Sequence, residues 1–180
     1  MRNEGGLVLL TIGFIIGSIQ LARASIWTMS FVYRHFLRPI FTRSLYAKYA
    51  NPRGGSWALV TGGSDGIGLE MCHQLAAQGF NIIICGRNEA KIKEKLSEIT
   101  SKVEKKALVI DLAAKTSIEE YKTIIAKECS GLDIAAVFLN AGNLIVGPVD
   151  LFSDAQLESI ITLNGLHVIY MAKIFLERLT

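Results

Sequence analysis

The chain has 180 residues, room for about one domain, with 51% hydrophobic residues, a mean hydropathy of +0.37 and a net charge of +3. The charge is lopsided. Between Glu4 and Asp65 there is no acidic residue, yet Arg23, Arg34, Arg38, Arg43, Lys48 and Arg53 fall there, while from Gly54 onward 12 basic residues face 15 acidic ones. A nucleic-acid-binding domain carries its basic face on the fold, so this distribution argues against nucleic acid as a partner. Cys72, Cys85 and Cys129 are odd in number and lie in apolar stretches, as small buried hydrophobes in a reducing compartment do, with no disulfide framework and no metal site.

Leu7 to Ala22 is an apolar run interrupted only by Thr11, Ser18, Gln20 and glycines, and apolar character resumes through Ile26-Trp27 and Phe31-Val32-Tyr33. The first run alone falls short of the roughly 20 residues that cross a bilayer. With Arg23 snorkelling and Trp27 at the interface it spans one. Residues 1–25 therefore read as a transmembrane signal anchor, and the basic excess after it places the following domain in the cytosol. Residues 26–55 read as a basic interfacial linker on an anionic membrane face, ending in the turn formers Asn51-Pro52-Arg53-Gly54-Gly55. Ala22-Arg23-Ala24 mimics a signal-peptidase site, so a removed signal peptide is a second reading, and a mitochondrial presequence a third that the long apolar run fits badly.

The globular part, 56–180, opens with a strand, Trp57 to Val60, which runs into the glycines Gly62, Gly66 and Gly68, and then a helix with Ile67, Met71 and Leu75 at four-residue steps. The glycines suit a phosphate cradle: Gly62 for a sharp reversal, Gly66 for approach of a pyrophosphate, Gly68 for close packing of helix on strand. The helix N-terminus then offers free N–H groups and a positive dipole end. A plain turn is the other reading.

The pattern then repeats. Asn81 to Cys85 is a buried strand, and Asn88 caps a helix with the stripe Ile92, Leu96, Ile99 and Val103 and a Glu89–Lys93 pair. Ala107 to Ile110 is a third strand, Ser117 to Cys129 a helix with Ile118, Tyr121, Ile125 and Cys129 inward, and Ile134 to Leu139 a fourth strand. Asp154 caps a last long helix carrying Leu157, Ile161, Val168 and Phe175. Near-continuous apolar strands alternating with helices predict an α/β fold, a Rossmann-type doubly wound parallel sheet of which this is the N-terminal part. Ligands bind such sheets at the carboxyl ends of the strands.

Four features fall at those ends. Arg87 stands where an acid would accept from the ribose hydroxyls of NAD, and its guanidinium suits a 2′-phosphate; an exposed arginine before a helix is the alternative. Asp111-Leu112 can receive the adenine amine or simply turn the chain. Asn140-Ala141-Gly142 permits close approach of a flat ligand or forms an Asx turn. Asn164 lies on the apolar stripe between Ile161 and Val168 beside Gly165, a buried amide that needs its hydrogen bonds satisfied, whether as a core asparagine or a functional one.

Thr61-Gly62-x3-Gly66-x-Gly68, Asp111, Asn140-Ala141-Gly142 and Asn164, in this order, resemble the short-chain dehydrogenase/reductases from Ser56 to the end of the chain. With an apolar anchor and basic linker in front, the chain looks most like the microsomal branch of very-long-chain 3-oxoacyl-CoA reductases and related 17-beta-hydroxysteroid dehydrogenases; the 3-ketosphinganine reductases are the close competitor. The resemblance implies an oxidoreductase of lipid metabolism in the endoplasmic reticulum membrane, using NADP(H) on an acyl-CoA or steroid-like lipid. It implies that Gly62, Ser64, Asp65, Gly66, Ile67 and Gly68 line the pyrophosphate, Arg87 the 2′-phosphate, Asp111 and Leu112 the adenine, and Asn140, Ala141 and Gly142 the ribose and nicotinamide. Asn164 would match the family's catalytic helix asparagine, which holds a water in the proton relay.

The family's catalytic Ser and Tyr-x-x-x-Lys find no match. Four residues after Tyr33, Tyr46, Tyr49, Tyr121 and Tyr170 come Leu37, Ala50, Arg53, Ile125 and Ile174. The expectation is therefore a fragment of a reductase that cannot itself reduce a ketone, or an inactive nucleotide-binding or scaffold subunit of the same fold, with a homodimer or another partner covering the sheet edge after the fourth strand.

Overall fold

The computed structural model describes residues 4–38, 44–114 and 117–179. Two compact units result, divided at Arg43 and Ser44; residues 39–43 of the expected linker lie outside the described residues.

The first unit is α1 (Glu4–Val32), prolonged by a π-helical turn, Tyr33–Leu37. Three of its hydroxyls turn back into the helix: Thr11, Ser18 and Thr28 each donate to the carbonyl four residues back, at 2.8, 2.8 and 2.9 Å. Its apolar side chains are exposed on every side, Leu7, Phe14 and Leu21 among them. The helix runs unbroken through residue 25, where the anchor was expected to give way to linker. Gly6–Leu37 is long and apolar enough to cross a membrane. Trp27, Phe31 and His35 stack in succession along it, at 5.8 and 4.3 Å between centroids.

The second unit begins inside the expected linker. The Ser44 hydroxyl caps α2 (Leu45–Tyr49) by accepting from Ala47 N–H. Tyr46 stands edge-on to Phe80 at 4.9 Å, and Leu45 N–H donates to Gln78 Oε1 at 2.9 Å, so this part of the linker is docked on the globular unit.

Four parallel strands follow: β1 (Trp57–Thr61), β2 (Asn81–Gly86), β3 (Lys105–Val109) and β4 (Ile134–Leu139), in spatial order β3-β2-β1-β4. Strand alternation sends Ala58, Val60, Ile82 and Ile84 to one face, where α3 (Gly66–Gln78) and α4 (Glu89–Glu98) cover them with Cys72, Leu75, Ile92 and Leu96. Leu59, Ile83, Cys85 and Leu108 point to the other face, under α5 (Ile118–Glu128) and the last helix. Both faces of the central β1 and β2 are dry, as a parallel sheet requires, while β3 and β4 are mostly half-buried. Burial pushes the thiols of Cys72 and Cys85 up to about 12.

Three expected helix features are corrected. Ile67 is not on the inner stripe of α3 but exposed at its first turn. The α4 helix ends at Glu98, so Ile99 caps it and Val103 reaches the core from the following turn. In the last helix, Ser153 is the cap and Asp154 the first helical residue: the Ser153 hydroxyl accepts from Gln156 N–H while Gln156 Oε1 accepts from Ser153 N–H. This helix is α6 (Asp154–Ile161), a π-helical turn Thr162–Leu166, and α7 (His167–Leu179). The extra residue of a π turn rotates everything after it. One stripe therefore cannot run through both parts: Ile161, before the turn, faces outward, and Thr162, His167, Met171, Ile174 and Phe175 are the buried set.

Candidate functional site

The strand order reverses between β1 and β4, and at their carboxyl ends lies a cleft of about 640 Å³. Thr61 joins the two strands there. Its carbonyl accepts from Asn140 Nδ2 at 3.2 Å, and its hydroxyl oxygen accepts from Ala141 N–H at 3.0 Å. The Asn140 side chain is thus committed to holding the strand ends together, while Ala141 and Gly142 present backbone to the cleft.

The glycine loop forms the opposite wall. Gly62 has φ +67°, and a Cβ on it would sit 3.0 Å from the Cα of Ala141. A Cβ on Gly68 would strike the Gly62 carbonyl and lie 2.6 Å from Asn140 Nδ2. Only glycine lets α3 start this close to β1 and β4. Ser64, Asp65 and Gly66 also line the cleft. Ile67 does not: it borders a shallow adjoining depression with Glu70, Met71 and Gln74.

Asp65 caps α3, its Oδ1 accepting from Gly66 N–H at 2.9 Å, and its Oδ2 pairs with Lys91 Nζ at 2.6 Å. The hydrogen bond from Lys91, then that from Gly66 N–H, hold its carboxyl below the usual range. Arg87 is exposed at the end of β2 and lines the cleft. Asp111 lies on the third strand end, where its Oδ1 accepts from Ala113 N–H at 3.0 Å; its other oxygen has no such partner among the described residues. Leu112 is buried in the core beneath the rim, so its side chain is floor.

Asn164 is corrected most. It is exposed, not buried, and sits in the π turn. Its Oδ1 accepts from Asn143 N–H at 2.9 Å and its Nδ2 donates to the Asn143 carbonyl at 2.7 Å. A Cβ on Gly142 would lie 3.1 Å from the same Oδ1. The amide therefore pins the loop after β4 against the last helix. The cleft also takes in Lys91, Asn143, Ser159 and Leu163, none of which the sequence pointed to. For Lys91 the one available signal was the carboxylate of Asp65, an acid beside a phosphate cradle that calls for a counter-ion. Among the described residues, no group of three or more His, Cys, Asp or Glu is placed to hold a metal ion.

A family model described as short chain dehydrogenase matches residues 56–180. A very-long-chain 3-oxoacyl-CoA reductase of Kluyveromyces lactis is 37% identical over 138 residues, covering 74% of this chain and 39% of the relative. Another of that name, from Scheffersomyces stipitis, is 30% identical over 165 residues, covering 91% of this chain and 46% of the relative. The chain spans less than half the length of both. Among solved structures, a 7beta-hydroxysteroid dehydrogenase superposes with a TM-score of 0.63 at 25% identity, covering 76% of this chain and 51% of that one.

Proposed function

The chain belongs to the short chain dehydrogenase family, and from that premise we propose that it is the nucleotide-binding part of a membrane-anchored, NADPH-dependent reductase of 3-oxoacyl-CoA thioesters. One observation carries the cofactor reading. The cleft at the sheet's switch point is walled by a glycine loop too close to β1 and β4 to admit a Cβ at Gly68, and a cation, Arg87, stands at the end of β2. An extended, flat, phosphate-bearing ligand fits a wall without side chains and a positive far end.

When bound, the nicotinamide supplies the hydride that reduces a carbonyl. The chain's own residues do the rest. The N–H groups of the first turn of α3 face the pyrophosphate, with Ser64 beside them. Arg87 takes the 2′-phosphate with a planar pair of donors. The Asp111 oxygen not engaged by Ala113 accepts from the adenine amine. Asn164, by clamping both backbone groups of Asn143, keeps Ala141 and Gly142 as a flat ledge for ribose and nicotinamide.

The acyl-CoA substrate is supported by the names of the relatives in K. lactis and S. stipitis, over the ketosteroid and 3-ketosphinganine alternatives. The apolar α1 and the arginines after it support an anchor in the endoplasmic reticulum membrane with the globular unit on the cytosolic side. The test is a titration of the full chain, purified in mild detergent, with NADPH and NADH, followed by nucleotide fluorescence. Binding of NADPH at least tenfold tighter than NADH is expected. Binding of neither sinks the reading. No Tyr-x-x-x-Lys occurs in the 180 residues, so this chain is expected to bind NADPH without oxidising it on a 3-oxoacyl-CoA; turnover would overturn that part.

A further inference from the structure

We propose that Lys91 is a second cation of the 2′-phosphate subsite, and that Asp65 holds it in the empty cleft until the phosphate takes it over. The inference rests on the dinucleotide reading above and deepens it.

Three observations lead there. First, Lys91 is the third residue of α4, after the Asn88 cap and Glu89. A cation in the first turn opposes the helix dipole, so its place is not explained by the helix. Second, Lys91 and Arg87 line the same cleft from the same segment, at the carboxyl end of β2. Third, Lys91 Nζ lies 2.6 Å from Asp65 Oδ2, across from the loop that follows β1. That pair bridges the N-termini of α3 and α4, the two helix ends that open on the cleft.

The Asp65–Lys91 pair stands open to solvent, the lysine side chain 39% exposed and the aspartate 80%. Exposed ion pairs are weak and easily exchanged. A phosphate dianion offers the ammonium a stronger partner than one carboxylate that is also bonded to Gly66 N–H. The aspartate loses little, because its cap bond to α3 remains. NADH brings no phosphate to this end of the cleft, so the lysine stays with Asp65 and contributes nothing to its binding. Lys91 is thus a specificity-determining residue, not a catalytic one.

The experiment is a binding titration of the full chain in detergent with NADPH, NADH and 2′,5′-ADP, repeated for K91M, K91R and D65N. Asparagine caps helices as well as aspartate, so D65N keeps α3 intact. The K91M chain should bind NADPH and 2′,5′-ADP about tenfold more weakly, as expected for loss of one charged hydrogen bond, with NADH changed less than twofold. K91R should retain wild-type preference, and D65N should bind NADPH more tightly by releasing the lysine. If K91M weakens both nucleotides equally, or neither, or if D65N weakens NADPH as K91M does, the inference fails while the cofactor reading stands. If wild-type chain binds no dinucleotide, it is the cofactor reading that fails. Thermal melts of all four chains in the same detergent separate lost binding from lost fold.

Discussion

His167 shows what one residue can carry unseen. It is fully buried at the start of α7, and neither ring nitrogen has a hydrogen-bond partner among the described residues. Desolvation drives its pKa below the ordinary histidine value; the Leu163 carbonyl one turn earlier opposes the shift without closing a hydrogen bond. The sign follows. The unfolded chain binds a proton near pH 6.5 and the folded one only at lower pH, so between those values the unfolded state holds more protons and stability falls as pH falls. Above about pH 7 the residue is mostly neutral in both states and adds little pH dependence. The melting temperature of the globular unit should therefore drop between pH 7 and pH 5, and H167F should flatten that drop. An unchanged pH profile in H167F would assign the acid sensitivity elsewhere. The sequence shows a histidine on an apolar helix, but only the phase change before it puts the ring in the core.

At the scale of the element, the last helix is held by its start and redirected by its middle. The reciprocal bonds of Ser153 and Gln156 satisfy donors that would otherwise be orphaned. S153A should cost about 0.5–2 kcal/mol, read as a lower denaturation midpoint with an unchanged slope. A loss of less than a few tenths would mean that packing of Met171, Ile174 and Phe175 alone fixes the helix. The cap lay within one residue of where the sequence put it. The helix face did not, because a stripe drawn at 3.6 residues per turn assumes one uninterrupted α-helix. The π turn at Thr162–Leu166 breaks that assumption, so Ile161 was read as inward and Asn164 as buried when both are exposed. A similar limit applies to β3. It begins at Lys105-Lys106, charged residues that an apolar-run criterion passes over, but which suit a strand paired on one side only. Lys105 Nζ reaches the Ile99 carbonyl and Lys106 pairs with Glu128.

For the whole molecule, the parallel sheet was legible because Ala58-Leu59-Val60 and Ile82-Ile83-Ile84 are apolar on both faces, a pattern that only a doubly covered strand needs. The glycine wall was legible because a missing Cβ is written in the sequence. The Asp65–Lys91 pair was not, since residues 26 apart meet only once β1 and β2 are in register.

The two long apolar helices among the described residues divide on the same physics. Asp154–Glu177 passes a length and hydropathy test for a membrane span, yet its inner face is buried in the core. Gly6–Leu37 passes it with nothing buried. A helix apolar all round without protein to cover it needs another apolar phase. At about 1.5 Å per residue it exceeds the ~30 Å of a bilayer core. The chain should therefore sediment with membranes and resist alkaline extraction. Two charges in the apolar run before Arg23 should reverse that: I15D/I16D adds about 6–8 kcal/mol to insertion on the translocon scale, enough to release the chain into the alkaline supernatant. Wild-type chain found in that supernatant would show that α1 does not span. An extraction-resistant I15D/I16D chain would mean that another surface holds the membrane, and the apolar residues left exposed after β4, Leu144, Val146, Val149 and Leu151, would be the first to substitute.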